Sequence, residues 1–319
     1  MSIKLILCAS ILALLSNVTH ASNHAHHTNS EHQVSNNWMF GYKYQSMDME
    51  GNRDGTDNID DREVANFGFR VAPTSMWMEM HMFSAMYHAS NQWSFMVMVP
   101  YVKKSMEHLI IANGRTFTAR TEGIGDIKFF TAKEITENKN NSIKLKLDVS
   151  LPTGSVDKQD EIPGGRQQLP YPMQLGSGTY DLIPGIEYTA WKGNIAWGSE
   201  FLWTYRTDNN KRDYDLGNRY EWKNWVSKRA NQWTFKLSLN AHLWENINGD
   251  DDELNATLVP TADAGRRAGE RLDALVGIEY DFGKLGAFSV EAGNPIYERL
   301  DGPQLSTDFI ANAAWRFSF

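Results

Sequence analysis

Several segments of this chain alternate apolar and polar residues, and this pattern constrains the fold more than any other feature. In residues 142–151, aliphatic side chains at the odd positions alternate with polar or charged side chains at the even ones. The same alternation recurs over 232–243, 271–282 and 306–319. Because successive side chains of a strand point to opposite faces, each segment would have one apolar face and one charged face.

A membrane barrel explains this pattern better than a soluble sandwich does. The segments run over about 10–13 residues, which is enough to cross a membrane at a tilt and longer than the usual soluble strand of about 5–6 residues. Mean hydropathy is -0.48. No apolar run of about 18 residues exists outside the N-terminus, which excludes a helical membrane protein. In hydrocarbon every backbone polar group needs an internal partner, and closure of the sheet supplies one at each edge.

We therefore predict an all-β fold, a transmembrane antiparallel β-barrel of about 12 strands with short periplasmic turns and longer extracellular loops. An even number of strands would leave both termini in the periplasm. Residues 62–73 stand either as a further short strand or as a folded loop. The predicted strands are 37–47, 74–88, 92–102, 122–135, 142–151, 179–191, 194–206, 217–229, 231–244, 270–282, 285–296 and 306–319.

The N-terminus has the features of a secretory signal peptide, which we assign to residues 1–21. Lys4 supplies the positive charge, Leu5–Leu15 supply the apolar stretch, and small residues follow at the cleavage position. Residues 22–36 are polar and rich in histidine, and they are predicted to form a disordered periplasmic tail. The barrel would then occupy residues 37–319.

Composition narrows the classes of function and the location. The single cysteine, Cys8, lies in the signal peptide, so the mature chain has no disulfide and no thiolate metal site. A net charge of -8 without a basic stripe argues against a nucleic-acid partner. The 11 tryptophans suit aromatic girdles in contact with membrane lipids. The last strand ends on Phe319, the kind of terminus that the barrel assembly machinery recognises. We expect an outer-membrane protein of a Gram-negative bacterium.

The polar parity of the strands assigns a candidate pore lining of mixed charge. Two interpretations stand: these ions pair across a narrow interior and stiffen the wall, or they line a polar pathway for a small solute. A 12-stranded barrel is intermediate between filled 8-stranded and open 16-stranded barrels, which favours a narrow or partly plugged pore. The candidate lining residues are Lys43, Asp126, Lys128, Lys144, Lys146, Asp148, Glu187, Glu200, Lys236, His242, Arg271, Asp273, Glu279 and Arg316.

Methionines are concentrated in the segment SMWMEMHMFSAMYH, where five of them share one parity. Thioethers are soft ligands suited to Cu(I), so one hypothesis is a copper site, and no other cofactor is expected. With a two-residue turn after this strand, the methionines would instead share the lipid-facing side with Phe95. We expect that arrangement, because the other parity would place Glu79 and His81 in hydrocarbon. The candidate metal residues are His81, Met96, Met98, His24, His26 and His27.

The long connection at 152–178 is rich in proline and glycine. It stands either as a mobile surface loop or as a packed loop that folds inward and constricts the pore. No motif joins the serines, histidines and acids of the chain into a catalytic arrangement, so no enzymatic activity is expected.

Three motifs resemble a known family. They are GIGDIKFF at 123–130, LPTGS at 151–155 and LGSGTYDLIPGIEY at 175–188. In this order they resemble the outer-membrane "transporter" family grouped under the meta-pathway of phenol degradation protein, over about residues 120–319. The resemblance implies a channel-like outer-membrane protein, with some members in pathways for aromatic compounds. The motifs are turn and strand-start patterns, so they imply fold and location more than substrate.

From these observations we expect a channel or transporter-like barrel that passes or binds a small solute across the outer membrane. The alternative is a copper-linked, methionine-rich and histidine-rich outer-membrane protein that uses Met96, Met98, His81 and the tail. A third class is a structural or adhesive barrel whose loops bind partners.

Overall fold

The computed structural model describes residues 37–318, and eleven antiparallel strands of this segment close into a barrel. The predicted all-β barrel is therefore confirmed. Strand numbers follow the chain and include short strands outside the wall. In order around the barrel, the wall consists of β1 (Trp38–Gly55), β3 (Val71–His88), β4 (Trp93–Ile110), β6 (Lys128–Glu137), β7 (Asn141–Ser150), β10 (Asp181–Lys192), β11 (Ile195–Arg206), β13 (Arg219–Ala230), β14 (Trp233–Trp244), β16 (Gly269–Asp281) and β17 (Ala287–Ser318).

The predicted number of strands is twelve and the structure has eleven in the wall. The last strand, β17, accounts for the difference. β17 has 32 residues, and it pairs with β16 as far as Leu300. From Leu300 to Ser318 it pairs with β1, which closes the barrel. Both pairings are antiparallel, so the chain reverses near Leu300 and β17 crosses the wall twice. Ten strands cross once and β17 crosses twice, which matches the predicted number of crossings.

The remaining short elements lie outside the closed wall, and most belong to its loop end, where the long connections are. Among the described residues no helix is long and apolar enough to cross a membrane. Residues 62–73 contain a 3₁₀ segment and the start of β3, so they form a folded loop. The strands are β2 (Asp57–Ile59), β5 (Arg115–Ile124), β8 (Gln159–Ile162), β9 (Gly165–Gln168), β12 (Tyr214–Asp215) and β15 (Asn248–Gly249), and the 3₁₀ segments are Glu63–Phe67, Tyr171–Met173, Pro260–Ala262, Ala264–Arg266 and Gly283–Leu285.

The wall between β3 and β7 rises beyond the predicted strands. The turn-end half of β4 pairs with β6, and its loop-end half pairs with β5 over Tyr101–Ile110. A break at 125–127 separates β5 from β6. The stretch around 103–121 is therefore a pair of extended strands and not the loop that a shorter β4 implies.

The distribution of side chains is inverted relative to a soluble protein. Aliphatic and aromatic residues such as Phe83, Phe235 and Val276 are 57%, 51% and 65% exposed on the outside. Charged residues such as Lys223 and Glu200 are only 2% exposed on the inside. This arrangement matches a barrel with hydrocarbon outside and a polar interior, as the alternation predicted.

Aromatic side chains form bands near both ends of the outer wall. At the turn end, the ring centroids of Trp38 and Tyr87 are 4.9 Å apart, and Phe282 stacks on Trp315 at 5.5 Å. At the loop end, Trp203 lies between Tyr205 and Tyr220. Two such bands are typical of the two interfaces of a membrane.

The methionines of β3 face the lumen, so the expected lipid-facing arrangement is wrong. His88 pairs with Ser94 and Met86 with Met96, one residue away from the predicted register. The Ser90 hydroxyl accepts hydrogen bonds from the backbone N–H groups of Gln92 and Trp93, and this geometry lengthens the turn. A shift of one residue moves every side chain of a strand to the other face.

The side chains of Glu79 and His81 consequently lie on the outside of the barrel. The Tyr42 hydroxyl and His81 Nδ1 are 2.8 Å apart, and the Tyr44 hydroxyl donates to Glu79 at 3.0 Å. His81 therefore cannot join Met96 and Met98 in one metal site, as the sequence had suggested. The signal peptide, the tail with His24, His26 and His27, and Phe319 lie outside the described residues.

Candidate functional site

The three sequence motifs meet at the loop end of the barrel, around the carboxylate of Asp126. This residue lies in the break between β5 and β6, so it is not a strand residue of the pore wall. Its Oδ1 accepts the Gly154 N–H at 2.8 Å, and its Oδ2 accepts the Ser177 N–H at 2.7 Å and the Ser177 hydroxyl at 3.1 Å. Asp126 thus ties both ends of the 152–178 loop to the wall.

Glycine is required where these motifs touch. A Cβ on Gly154 would lie 2.7 Å from the Cα of Gly176, closer than real Cβ atoms approach. Gly178 has φ +73°, in the left-handed region that disfavours other residues. The Thr153 hydroxyl completes the contact by donating to Gly125 O and accepting from Ile127 N, both at 2.8 Å. The motifs therefore build a loop anchor, which is a structural role.

The 152–178 loop folds inward and packs against the inner wall. Leu169 and Met173 are fully buried, and they contact Met76 of β3, Met106 of β4 and Ala119 of β5. The Lys104 ammonium donates to the carbonyl oxygens of Pro172 and Gln174. Of the two interpretations of this loop, the structure agrees with the packed loop that narrows the lumen.

Two further loops join it to form a cap over the loop end, made of residues 152–178, 207–218 and 245–268. Tyr171 packs edge-to-face on Tyr214 at 4.8 Å, and both contact Ile247. Leu258 accepts backbone hydrogen bonds at 3.0 Å from the residues that begin β3, so the third loop reaches across the mouth. We call these three loops the cap.

Ion pairs hold the outer layer of the cap together. Arg212 Nε lies 2.7 Å from Asp157 Oδ1, and Arg212 Nη1 lies 3.2 Å from Asp251 Oδ1. Lys211 also pairs with Asp157. The hydrogen bond from Lys211, with a second from Arg212, holds the pKa of the Asp157 carboxyl below its usual value. Because all three loops contribute, the cap behaves as one ion-paired unit.

One side of the lumen below the cap is charged. Lys146 pairs with Glu187 at 3.8 Å and with Glu200, while Lys236 lies 3.3 Å from Glu291. The predicted lining residues Lys144, Lys146, Asp148, Glu187, Glu200, Lys236, His242, Arg271, Asp273, Glu279 and Arg316 lie on this charged side, on β7, β10, β11, β14, β16 and β17. The ion pairs among them agree with the first interpretation, in which paired ions stiffen the wall.

A buried network lies at the loop-end part of this charged side. His242 Nε2 is 2.7 Å from Asp273 Oδ2, and Arg271 Nε is 2.8 Å from Asp273 Oδ1. His242 and Asp273 are 0% and 1% exposed. This network crosslinks β14 and β16 on the inner face of the wall.

The opposite side of the lumen, formed by β1, β3 and β4, is lined by methionine. Met39, Met47, Met76, Met82, Met86, Met96, Met98 and Met106 are all 8% exposed or less. Lys43 lies among them on β1, in register with Met82, and Lys128 lies at the start of β6, in register with Met98. The predicted lining included Lys43 and Lys128 but none of the methionines. The methionines share one parity in the sequence, but parity alone does not say which face of the wall they take.

Polar groups without partners border the methionine side. Gln45 is 1% exposed, and among the described residues neither of its amide atoms has a hydrogen-bond partner. Asn312, its cross-strand neighbour on β17, has an unpartnered Oδ1. Met80 is the neighbour of Gln45 on β3. A buried polar group of this kind has a high cost unless a partner enters the lumen.

A cavity of about 510 Å³ lies at the turn end of the lumen. It is bounded by the turns at Gly193 and Asn231 and by the charged side chains of Glu187, Lys223 and Lys236. Its size is within the range of about 300–1,000 Å³ that small-molecule sites occupy. The lumen thus has a small-molecule cavity at one end and the cap at the other. Among residues 37–318, no group of three or more His, Cys, Asp or Glu side chains is arranged to hold a metal ion.

Comparison with known proteins assigns the family. The model of the family described as "Putative MetA-pathway of phenol degradation" matches residues 74–294. The chain belongs to this family. The match covers more than half of the chain and begins at β3, upstream of the motifs that carry the sequence resemblance. No curated protein matches the chain.

Several solved outer-membrane barrels are similar to this chain, to different degrees. An outer-membrane channel from Pseudomonas putida F1 superposes with a TM-score of 0.63 at 12% identity, covering 92% of this chain and 98% of that one. The β domain of the Bordetella autotransporter BrkA has a TM-score of 0.49 at 10% identity, with coverage of 89% and 100%. The CymD monoaromatic hydrocarbon channel has a TM-score of 0.42 at 9% identity, with coverage of 89% and 90%. The superposition on the Pseudomonas putida channel shows that this chain has the fold of an outer-membrane barrel.

Proposed function

We propose that this protein is an outer-membrane channel for small organic solutes that combine an apolar ring with a hydroxyl group, including phenolic acids such as 4-hydroxybenzoate. The unpartnered amide of Gln45 beside Met80 is the observation that carries this proposal. A solute with an aromatic ring would place the ring against the thioethers and its hydroxyl within reach of Gln45 and Asn312. Sulfur–aromatic contacts contribute about 0.3–1.5 kcal/mol each, enough to guide a solute without trapping it.

The two-sided lumen supports this class of solute over a sugar or an ion. A sugar has polar groups all around and would leave the methionine side unused. An inorganic ion has no apolar surface to place against the methionine side and would compete with the ion pairs of the charged side. The description of the family refers to phenol degradation, and phenols have an apolar ring and one hydroxyl group.

The cap requires a gating step. The inner surface of the cap covers the methionine side of the lumen. Passage of a solute therefore requires the 152–178 loop to move away from Met76 and Met106. Three further expectations remain predictions from the sequence. They are contact of the outer wall with lipid, recognition of the C-terminal Phe319 by the assembly machinery, and the absence of catalysis.

Uptake by liposomes tests the proposal. The refolded protein is reconstituted, and entry of 4-hydroxybenzoate is compared with entry of benzoate and glucose, with protein-free liposomes as the baseline. We expect 4-hydroxybenzoate to enter fastest and glucose slowest. The Gln45→Leu variant should reduce the preference for the hydroxylated acid by roughly 2–10-fold, the worth of one hydrogen bond of about 0.5–1.5 kcal/mol.

The neighbouring Ser46→Ala variant is the matched control, since Ser46 points away from the lumen on the same strand. It should leave all three rates unchanged. A folded barrel that admits glucose as fast as 4-hydroxybenzoate, or admits neither, contradicts the proposal.

A further inference from the structure

The methionines of this protein are confined to one side of one sheet segment. Of the 13 in the chain, eleven lie on the inner faces of β1, β3 and β4. Of the remaining two, Met173 belongs to the cap and packs against the same surface, and Met1 is the first residue. Within 39–49, 76–86 and 96–106, the outward positions carry aromatic and aliphatic residues such as Trp77 and Phe83 but no methionine.

Apolar filling alone does not account for this arrangement. The inner positions of the same three segments hold no Leu, Ile or Phe, although these residues define a packed interior better than flexible methionine does. The outer wall of the same strands uses Phe and Val freely. Selection of thioethers is therefore specific to the lumen, where a solute or ion can contact them.

Three thioethers converge near the turn end. Met39, Met86 and Met96 are directly in register on three neighbouring strands. They are 8%, 5% and 7% exposed, contact one another, and have Phe130 packed against them. Cross-strand neighbours have Cα atoms about 4.5–5.5 Å apart, and each methionine has three rotatable side-chain bonds, so three sulfurs can direct lone pairs to one point.

The chemistry of three neutral thioethers selects the ligand. Hard cations such as Mg²⁺ and Ca²⁺ require oxygen ligands, and none of these three residues supplies one. Soft thioethers favour Cu(I), and a neutral sulfur loses no proton when it binds a metal. Phe130 closes one side of the group and keeps it apolar.

We propose that Met39, Met86 and Met96 form a three-thioether binding site for a soft monovalent cation of the Cu(I) and Ag(I) type. The site goes beyond the proposed solute channel and does not depend on it. It differs from the sequence hypothesis, because His81 lies on the opposite face of β3 and takes no part.

Silver titration of the full-length protein in detergent tests the site. Ag(I) is the probe because it needs no reductant, and a chloride-free nitrate buffer keeps it in solution. We expect one equivalent held by Met39, Met86 and Met96, because the second in-register group, Met49, Met76 and Met106, is already packed against Leu169 and Met173 of the cap. The triple variant Met39→Leu, Met86→Leu and Met96→Leu should weaken this binding more than about 100-fold, since loss of mere outer-shell partners already weakens metal sites by about 10–100-fold.

Leucine keeps the size and apolar character of methionine, so the triple variant should still fold, which the altered mobility of the unheated barrel in a gel reports. The matched control is Met47→Leu, Met78→Leu and Met80→Leu, three methionines on the inner faces of β1 and β3. It should bind Ag(I) as the wild type does. X-ray absorption of the silver complex should show sulfur neighbours only.

Three outcomes would overturn the site. They are a wild-type protein that binds no Ag(I), a triple variant that binds as tightly as the wild type, and a spectrum with nitrogen neighbours alone, which would place the metal on histidine. Uptake of 4-hydroxybenzoate is measured on the same triple variant. Lost silver binding with intact uptake separates the metal site from the solute channel, and failure of uptake in the wild type leaves the silver result standing.

Discussion

Removal of the Asp126 carboxylate should release the 152–178 loop and open the channel. This carboxylate accepts three hydrogen bonds, one from Gly154 and two from Ser177. Hydrogen bonds to a charged group contribute about 1.5–3 kcal/mol each, and three bonds that share one carboxylate contribute less than their sum. We take about 3–5 kcal/mol for Asp126→Ala. Because each 1.4 kcal/mol is a factor of ten, the open state should gain at least roughly 100-fold in population.

Single-channel recording in planar bilayers measures this change. The wild type should show rare, brief openings, and Asp126→Ala should show sustained ones. Trypsin cleavage at Lys158 and Arg166, both within the loop, gives a second measure and should accelerate in parallel. Asp126→Asn keeps the shape and loses the charge, so it should fall between the two. Glu161→Ala, an exposed change in the same loop, is the control and should behave as the wild type. If Asp126→Ala matches the wild type in both current and cleavage, the anchor does not gate the channel.

Three further perturbations have defined outcomes. The pKa of Asp157 is depressed, so its ion pairs in the cap are complete above about pH 4 and are lost as pH falls through the lowered value. Their loss should add to channel opening in strong acid, and an equal rise in the Asp157→Asn variant would contradict this cause. Gly154→Ala should destabilise the loop anchor by about 1–3 kcal/mol, because the added methyl group overpacks against Gly176. The measurements are a lower Tm of the cap and faster tryptic cleavage of the loop. His242→Leu should lower the free energy of unfolding in urea by about 1–3 kcal/mol, since Asp273 keeps Arg271 as a partner; no measurable loss would show that the network adds nothing to stability.

The barrel itself was predictable because its signal is repeated in nearly every strand. Strands such as β7 and β14 begin and end within two residues of their predicted bounds. The strand predictions were incomplete in two places. β17 crosses the wall twice as one continuous strand, and β4 continues beyond the predicted membrane-spanning segment. The alternation of 92–102 stops at the polar residues that follow, yet β4 continues to Ile110 because β5 pairs with it.

The candidate site was only half predictable for a different reason. Parity identifies the charged side of the lumen, because charged residues alternate there with apolar residues that face the lipid. It does not identify the methionine side, since an apolar residue is acceptable on both faces of the wall. The cap could not be predicted either, because its contacts, such as that of Leu169 with Met106, join residues that are far apart in the sequence.

The error on β3 came from a physical premise that was too strong. The predicted register rests on the premise that a carboxylate and an imidazole on the outer wall are prohibitive in hydrocarbon. The structure satisfies both groups locally, with Tyr42 on His81 and Tyr44 on Glu79 across the β1–β3 pair. The cost of a polar group on the outer wall therefore depends on its cross-strand neighbour as well as on its depth. Applied to this hairpin, that rule favours the observed register, because β1 places a tyrosine hydroxyl beside each of the two polar groups while methionine fills the inner face.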